Sequence, residues 1–207
     1  MVTGTGSRPP GPSPAAPSPP PTALEAELFR LAGAVPDPEL PVVTLAELGV
    51  LRAVRMAAPV HMAAPVHMAA PGPGPGPGPG LAPGAGAVRV ELTPTYTGCP
   101  AIEAMSSDIE RVLHDRGMPD VSVVTVLSPA WSTDDISAEG RRKLAEAGIA
   151  PPRPGATAGP VPLTLAIRCP HCGSTATELL SRFSSTACKA LRRCTACREP
   201  FDHFKEL

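Results

Sequence analysis

The sequence predicts an α/β (α+β) fold: a small mixed three-stranded sheet with helices, followed by a small cysteine-rich ribbon domain. Three observations predict it. Two short runs of β-branched residues flank a strongly amphipathic stretch, Pro100 to Gly117, in strand–helix–strand order. A further apolar run, VLRAVR at 50–55, precedes them and supplies an antiparallel neighbour. Four of the six cysteines then stand in two C-x2-C pairs near the end of the chain, Cys169/Cys172 and Cys194/Cys197.

The ordered elements follow in sequence. Thr22 with Glu25 three residues later is a capping box, and Leu24, Leu28 and Leu31 form an apolar stripe ending at Gly33. VPDPELPVVT carries three prolines in six positions, which forbids a helix or a central strand there. Thr44 and Glu47 repeat the capping-box pattern and predict a single turn closed by Gly49. VLRAVR (50–55) and AVRVELT (87–93) read as paired strands, with Val88, Val90 and Leu92 on one face. Pro100 suits the first position of a helix in which Ile102, Met105, Ile109 and Val112 recur at helical spacing, and Gly117 and Pro119 stop it. VSVVTVLS (121–128) is the third strand, parallel to the second through a right-handed crossover. Residues 137–148 form a last amphipathic helix.

Composition sets the organisation around these elements. Of thirty prolines, eight fall in residues 1–21 and eight in residues 56–86, and neither stretch holds an aromatic residue. Such tracts bury too little apolar surface to offset chain entropy. Residues 1–21 therefore read as a disordered tail, and 56–86 as a low-complexity insert in the hairpin of a domain spanning 22–150. A linker at 151–163 leads to the ribbon at 164–207. The insert repeats MAAPVH, which brings in His61 and His67; slippage-type low complexity is favoured over a metal-binding repeat. A formal charge of −1 gives no global attraction to nucleic acid or anionic membrane. The N-terminus lacks the apolar core of a secretory signal, and no run of about 18 apolar residues is present to span a membrane. A cytoplasmic protein is expected, in which cysteines serve as thiols or metal ligands rather than disulfides.

The cysteines carry the chemistry. Two C-x2-C turns separated by 21 residues make a four-thiolate site for zinc at Cys169, Cys172, Cys194 and Cys197. A domain this small has too little core to fold unaided, so the metal would hold it. A pair of redox C-x-x-C motifs is disfavoured, because no thioredoxin-like context surrounds them. His171 sits inside one knuckle as a competing ligand, although four sulfurs suffice. Cys188 is the odd thiol; packing, a spare ligand and a second reactive site all remain open for it. Cys99 stands alone before Pro100. Unpaired N–H groups and the positive dipole end of the helix favour its thiolate, whereas a buried small residue at a tight turn is the alternative.

Together, DPELPVVTLAELGVLRAV and ELTPTYTGCPAIEAM resemble the small iron–sulfur-assembly domain shared by cluster-targeting factors and bacterial maturation proteins. With the tail CPHCGSTATELLSRFSSTACKALRRCTACREPFDHFKEL added, the chain is similar over about residues 22–207, apart from the insert, to the PaaD family. These are D subunits associated with phenylacetyl-CoA epoxidase, also called phenylacetate-CoA oxygenase. The resemblance implies an accessory factor of aerobic phenylacetate degradation, without catalytic activity of its own. It would mature the metal centres of that multicomponent oxygenase, with the iron–sulfur reductase component as client. It implies that Cys99, in a T-P-T-x-x-x-C motif, is the functional thiol and transiently carries iron or an iron–sulfur cluster, supported by Asp37, Glu39 and Thr95. An iron–sulfur cluster in place of zinc at the four-cysteine site is the alternative there. Ser184, where the family pattern has glycine, and the hairpin insert are departures that leave the thiols untouched.

Two other classes compete. A nucleic-acid-binding ribbon could use Lys189, Arg192, Arg193 and Arg198 beside Phe183, Phe201 and Phe204, but Glu178, Glu199, Asp202 and Glu206 offset the charge. A thiol enzyme using Cys99 needs a base, and His114 on the same helix lies about 20 Å away at 1.5 Å per residue. The maturation factor is favoured over both.

Overall fold

A computed structural model describes residues 20–56, 86–153 and 166–205. Most of the N-terminal tail, the insert with His61 and His67, and most of the linker lie outside the described residues.

Each N-terminal element begins where a side chain can satisfy orphan amide groups. Thr22 caps α1 (Ala23–Gly33): Glu25 N donates to its hydroxyl at 3.2 Å, and Thr22 N donates to the Glu25 carboxylate at 2.7 Å. The other oxygen of Glu25 accepts from Met56 N at 2.8 Å, which ties the helix to the end of β1. Thr44 and Glu47 repeat the box on α2 (Leu45–Leu48). Gly49 closes that turn with φ +75°, and a Cβ there would lie 2.4 Å from the Asp135 carbonyl oxygen, so only glycine fits.

β1 (Leu51–Met56) pairs antiparallel with β2 (Val88–Leu92), bringing Met56 opposite Val88 across the insert. α3 (Ala101–Asp115) crosses over to β3 (Val121–Thr125), which runs parallel to β2, giving the order β1-β2-β3. The faces are those the periodicity predicts for the sheet, with Val88, Val90 and Leu92 buried. On α3 the fully buried row is Ala101, Met105, Ile109 and Leu113, and Ile102 and Val112 flank it. β3 is shorter than residues 121–128. Val126 N makes the last bond to β2, at Leu92 O (2.7 Å), and no strand lies beyond to pair with among the described residues.

A turn at Thr133–Asp135 and α4 (Ala138–Glu146), capped by Ser137, pack over α2. The second sheet then begins earlier than the sequence suggests. β4 (Ile149–Ala150) pairs parallel with β7 (Pro200–Phe204), beside β6 (Lys189–Cys194) and β5 (Thr177–Ser181), in the order β4-β7-β6-β5. The chain thus has the α+β class expected. Phe204 of the second sheet and Cys188, just before β6, are nevertheless buried in the core of the first. No helix among the described residues is long and apolar enough to cross a membrane.

Candidate functional site

The proline-rich segment before α2 is shaped by one carboxylate. Asp37 accepts from Glu39 N and Leu40 N, both at 2.8 Å, and its own N–H donates to Val43 O at 3.0 Å. This folds DPELP into a tight loop with Asp37 only 5% exposed. On the other side, Thr93 N donates to Val50 O at 2.8 Å, and the chain after β2 turns through Gly98 at φ +84° to deliver Cys99 to the start of α3. Pro100 is the cap residue rather than the first helical one.

These two loops face each other across a small cavity of about 10 Å³, lined among others by Asp37, Glu39, Thr95, Cys99, Cys188 and Phe204. That is room for about one water-sized species. The cavity therefore gathers Cys99 with Asp37, Glu39 and Thr95. It also adds Cys188, whose place local sequence did not reveal. The only available signal was that Cys188 is the one cysteine of the tail outside the two knuckles.

Burial pushes the Cys99 thiol up, and the negative charges of Glu39 and Asp37 push the same way, while Ala101 N–H and the Tyr96 hydroxyl favour the thiolate. This corrects the expectation from the helix terminus. A half-buried sulfur facing two carboxylates loses more by desolvation and repulsion than the helix N-terminus returns. Burial also raises Cys188, again with Glu39 and Asp37 contributing. Asp37 itself is raised by burial, against the pull of its two N–H donors. Glu39 is raised by burial and by Asp37. Tyr96, beside both thiols, is pushed up to about 12 by burial and by the charge on Cys99.

The second site is the four-cysteine cluster. The sulfurs of Cys169, Cys172, Cys194 and Cys197 all lie within 4.8 Å of one another. Cys169 and Cys197 are 3.7 Å apart, and Cys172 and Cys194 are 3.6 Å apart. A tetrahedral thiolate site with metal–sulfur bonds of about 2.3 Å places its sulfurs about 3.8 Å apart, so the spacing fits a four-coordinate thiophilic ion. The two knuckles are built alike: Cys169 N and Cys194 N donate to Ser174 O and Glu199 O. The residue after each second cysteine, Gly173 or Arg198, is left-handed. Cys194 is pushed down to about 6, chiefly by the Cys197 backbone N–H. His171 packs against Gly148, with its ring 3.3 Å from where a Cβ would stand, and is not part of the cluster.

Several of the aromatic and basic side chains of the ribbon are buried or paired. Phe201 and Phe204 are buried, leaving Phe183 exposed beneath the Lys205 ammonium at 4.7 Å. Arg193 pairs with Glu178 at 2.5 Å and Lys189 with Asp202 at 3.1 Å. His114 lies at the far end of α3 from Cys99.

Fold and sites define a class: an α+β domain with a thiol–carboxylate cavity, joined through a shared core to a four-cysteine metal ribbon. Residues 154–205 match the family model described as the PaaD zinc beta ribbon domain. Over 179 residues, 86% of this chain and 91% of the relative, the sequence is 39% identical to the D subunit of a "Putative 1,2-phenylacetyl-CoA epoxidase" of Escherichia coli (strain K12). The chain belongs to this family of epoxidase D subunits. It is also similar to a solved domain of unknown function, DUF59, from Bacillus anthracis, at 23% identity with a TM-score of 0.43, over 59% of this chain and 92% of that one.

Proposed function

We propose that the protein is a non-catalytic maturation factor of the phenylacetyl-CoA epoxidase complex, acting in the cytoplasm on the iron–sulfur reductase component. The kinship with an epoxidase component supports the association with phenylacetate breakdown. The observation that carries the maturation reading is the cavity in which Cys99 faces Asp37, Glu39 and Thr95. A thiol held protonated by burial and carboxylates is a poor resting nucleophile, yet it becomes a ligand when a cation arrives to compensate the same charges. Iron or a cluster is the cargo. Asp37 fixes the loop that aims Glu39, and Thr95 lines the approach.

The four ribbon cysteines would hold a resident zinc ion. Four thiolates complete its coordination and leave no open position, so the zinc supplies folding stability rather than chemistry.

The test is a cell or reconstituted system in which epoxidase activity depends on this protein. Cys99→Ser should leave soluble, zinc-containing protein but abolish activity and lower the iron content of the purified reductase component. Full activity with Cys99→Ser would overturn the reading. Anaerobic purification with metal analysis and a visible spectrum decides the resident metal: zinc is colourless, whereas an iron–sulfur cluster in the ribbon would absorb.

A further inference from the structure

Cys188 is a thiol without an assigned task. It is free, outside the four-cysteine cluster, and 2% exposed. It reaches the Cys99 cavity from the ribbon, 89 positions along the chain, and the fold holds it there. Lys205 N donates to Cys188 O at 2.9 Å, β6 and β7 pair with Lys189 opposite Phe204, and the Thr186 hydroxyl lies 3.1 Å from its sulfur.

We propose that Cys99 and Cys188 form one composite metal-thiolate site, split between the assembly domain and the ribbon, that takes a divalent thiophilic ion such as ferrous iron. The inference rests on the reading of Cys99 as a metal-handling thiol and names its second ligand. A single thiolate holds such an ion weakly. Two soft sulfurs with the carboxylates of Asp37 and Glu39 on the same cavity make a donor set suited to iron, cobalt or zinc. Binding converts two thiols into two thiolates, forming two metal–sulfur bonds and releasing two protons, with no change in oxidation state. Among the described residues the ribbon cysteines are the one group of three or more such donors already placed to hold a metal ion. Cys99, Cys188, Asp37 and Glu39 line one small cavity, and that shared space is where the ion would enter. Because Cys188 rides on the ribbon, the ribbon metal sets the position of the second ligand.

The probe is cobalt(II), added anaerobically to full-length protein whose ribbon is saturated with zinc, which cobalt does not displace because zinc binds the more tightly. Wild type should bind one further equivalent, with a sulfur-to-cobalt charge-transfer band and two sulfurs in the first shell by X-ray absorption. Cys99→Ser and Cys188→Ser should each halve the band and weaken cobalt binding by at least about tenfold, while keeping one zinc and the wild-type circular dichroism. If Cys188→Ser leaves the band intact and Cys99→Ser removes it, the composite site is wrong and the Cys99 reading stands. Absence of cobalt binding in wild type overturns the composite site. Should the serine variant fail to fold, the wild-type absorption spectrum still decides, since one sulfur in the first shell overturns the pairing.

Discussion

Trp131 and Phe204 meet ring to ring, with centroids 5.9 Å apart and planes inclined at 48°. One comes from the segment after β3 and the other from the last strand of the ribbon. Trp131 is anchored by its indole N–H, which donates to Leu48 O at 2.9 Å, and Phe204 is fully buried. With the β4–β7 pairing beside it, this contact makes the ribbon and the N-terminal α+β domain share one core, and it places Phe204 in the wall of the Cys99 cavity.

Phe204→Ala should therefore cost the whole protein about 3–5 kcal/mol, the range for deleting a buried phenylalanine. Trp131 is the single tryptophan, so its emission reports the N-terminal domain while circular dichroism reports both sheets. In urea the wild-type transitions should coincide, and those of the variant should separate. A loss below about 1 kcal/mol with coincident curves would show that the ring contact does not couple the two parts.

Zinc content is the second expectation. Cys194→Ala removes a ligand from the sulfur cluster, and purified protein should lose its full equivalent of zinc. Apparent binding of about 10–16 kcal/mol in small zinc domains is folding energy, so strong chelators should unfold the wild-type ribbon and shift Trp131 emission through Phe204. A Cys194→Ala protein retaining one zinc per chain would sink the ligand assignment.

The local features of this fold were legible because they depend on neighbours in sequence. Both capping boxes, Thr22–Glu25 and Thr44–Glu47, form as written. The βαβ crossover follows from periodicity, since Val88, Val90 and Leu92 must share a face whatever packs on it. The sulfur cluster follows from spacing alone. Cys188 was not legible, because its place in the Cys99 cavity depends on β7 running back under the N-terminal domain. Two residues, Ile149 and Ala150, are too short a strand to show any period. The direction in which the surroundings push Cys99 was not legible for the same reason: its sequence neighbours announce a helix terminus, and the carboxylates that oppose it come from a loop some sixty residues earlier.

A third expectation concerns acid. His203 is 8% exposed, and its Nε2 has no hydrogen-bond partner among the described residues. Burial, with Arg192 and Arg153 nearby, pushes its pKa down to about 4. The unfolded chain protonates near the ordinary value of about 6.5, so it binds the extra proton first. Stability is thus fully present above about pH 6.5 and falls by roughly 3 kcal/mol as pH drops to about 4. His203→Phe should remove that part of the slope, read as the difference between the two proteins in urea titrations with excess zinc. Parallel pH profiles would show that His203 ionises freely in the folded state.

The last prediction concerns the charge around the thiol. Glu39 raises Cys99 by repelling its thiolate, after the larger effect of burial. Replacing the carboxylate with an amide keeps the size and removes the repulsion, so Glu39→Gln should lower the Cys99 pKa and enlarge the thiolate fraction at pH 8. Each unit of pKa multiplies that fraction by about ten while the thiol form dominates, so alkylation of Cys99 by iodoacetamide should quicken by about two- to tenfold, followed by mass spectrometry of the Cys99 peptide. Asp37→Asn should act in the same direction through its smaller charge effect. It retains an oxygen to accept from Glu39 N and Leu40 N, so the loop is preserved. The effect on maturation should be opposite in sign to the effect on alkylation. A more reactive thiol lacking its carboxylate partner has lost negative charge needed to attract and hold a cation, and epoxidase activation should fall. If Glu39→Gln alkylates at the wild-type rate, the carboxylate does not face the thiol in solution, and the cavity does not act as a unit.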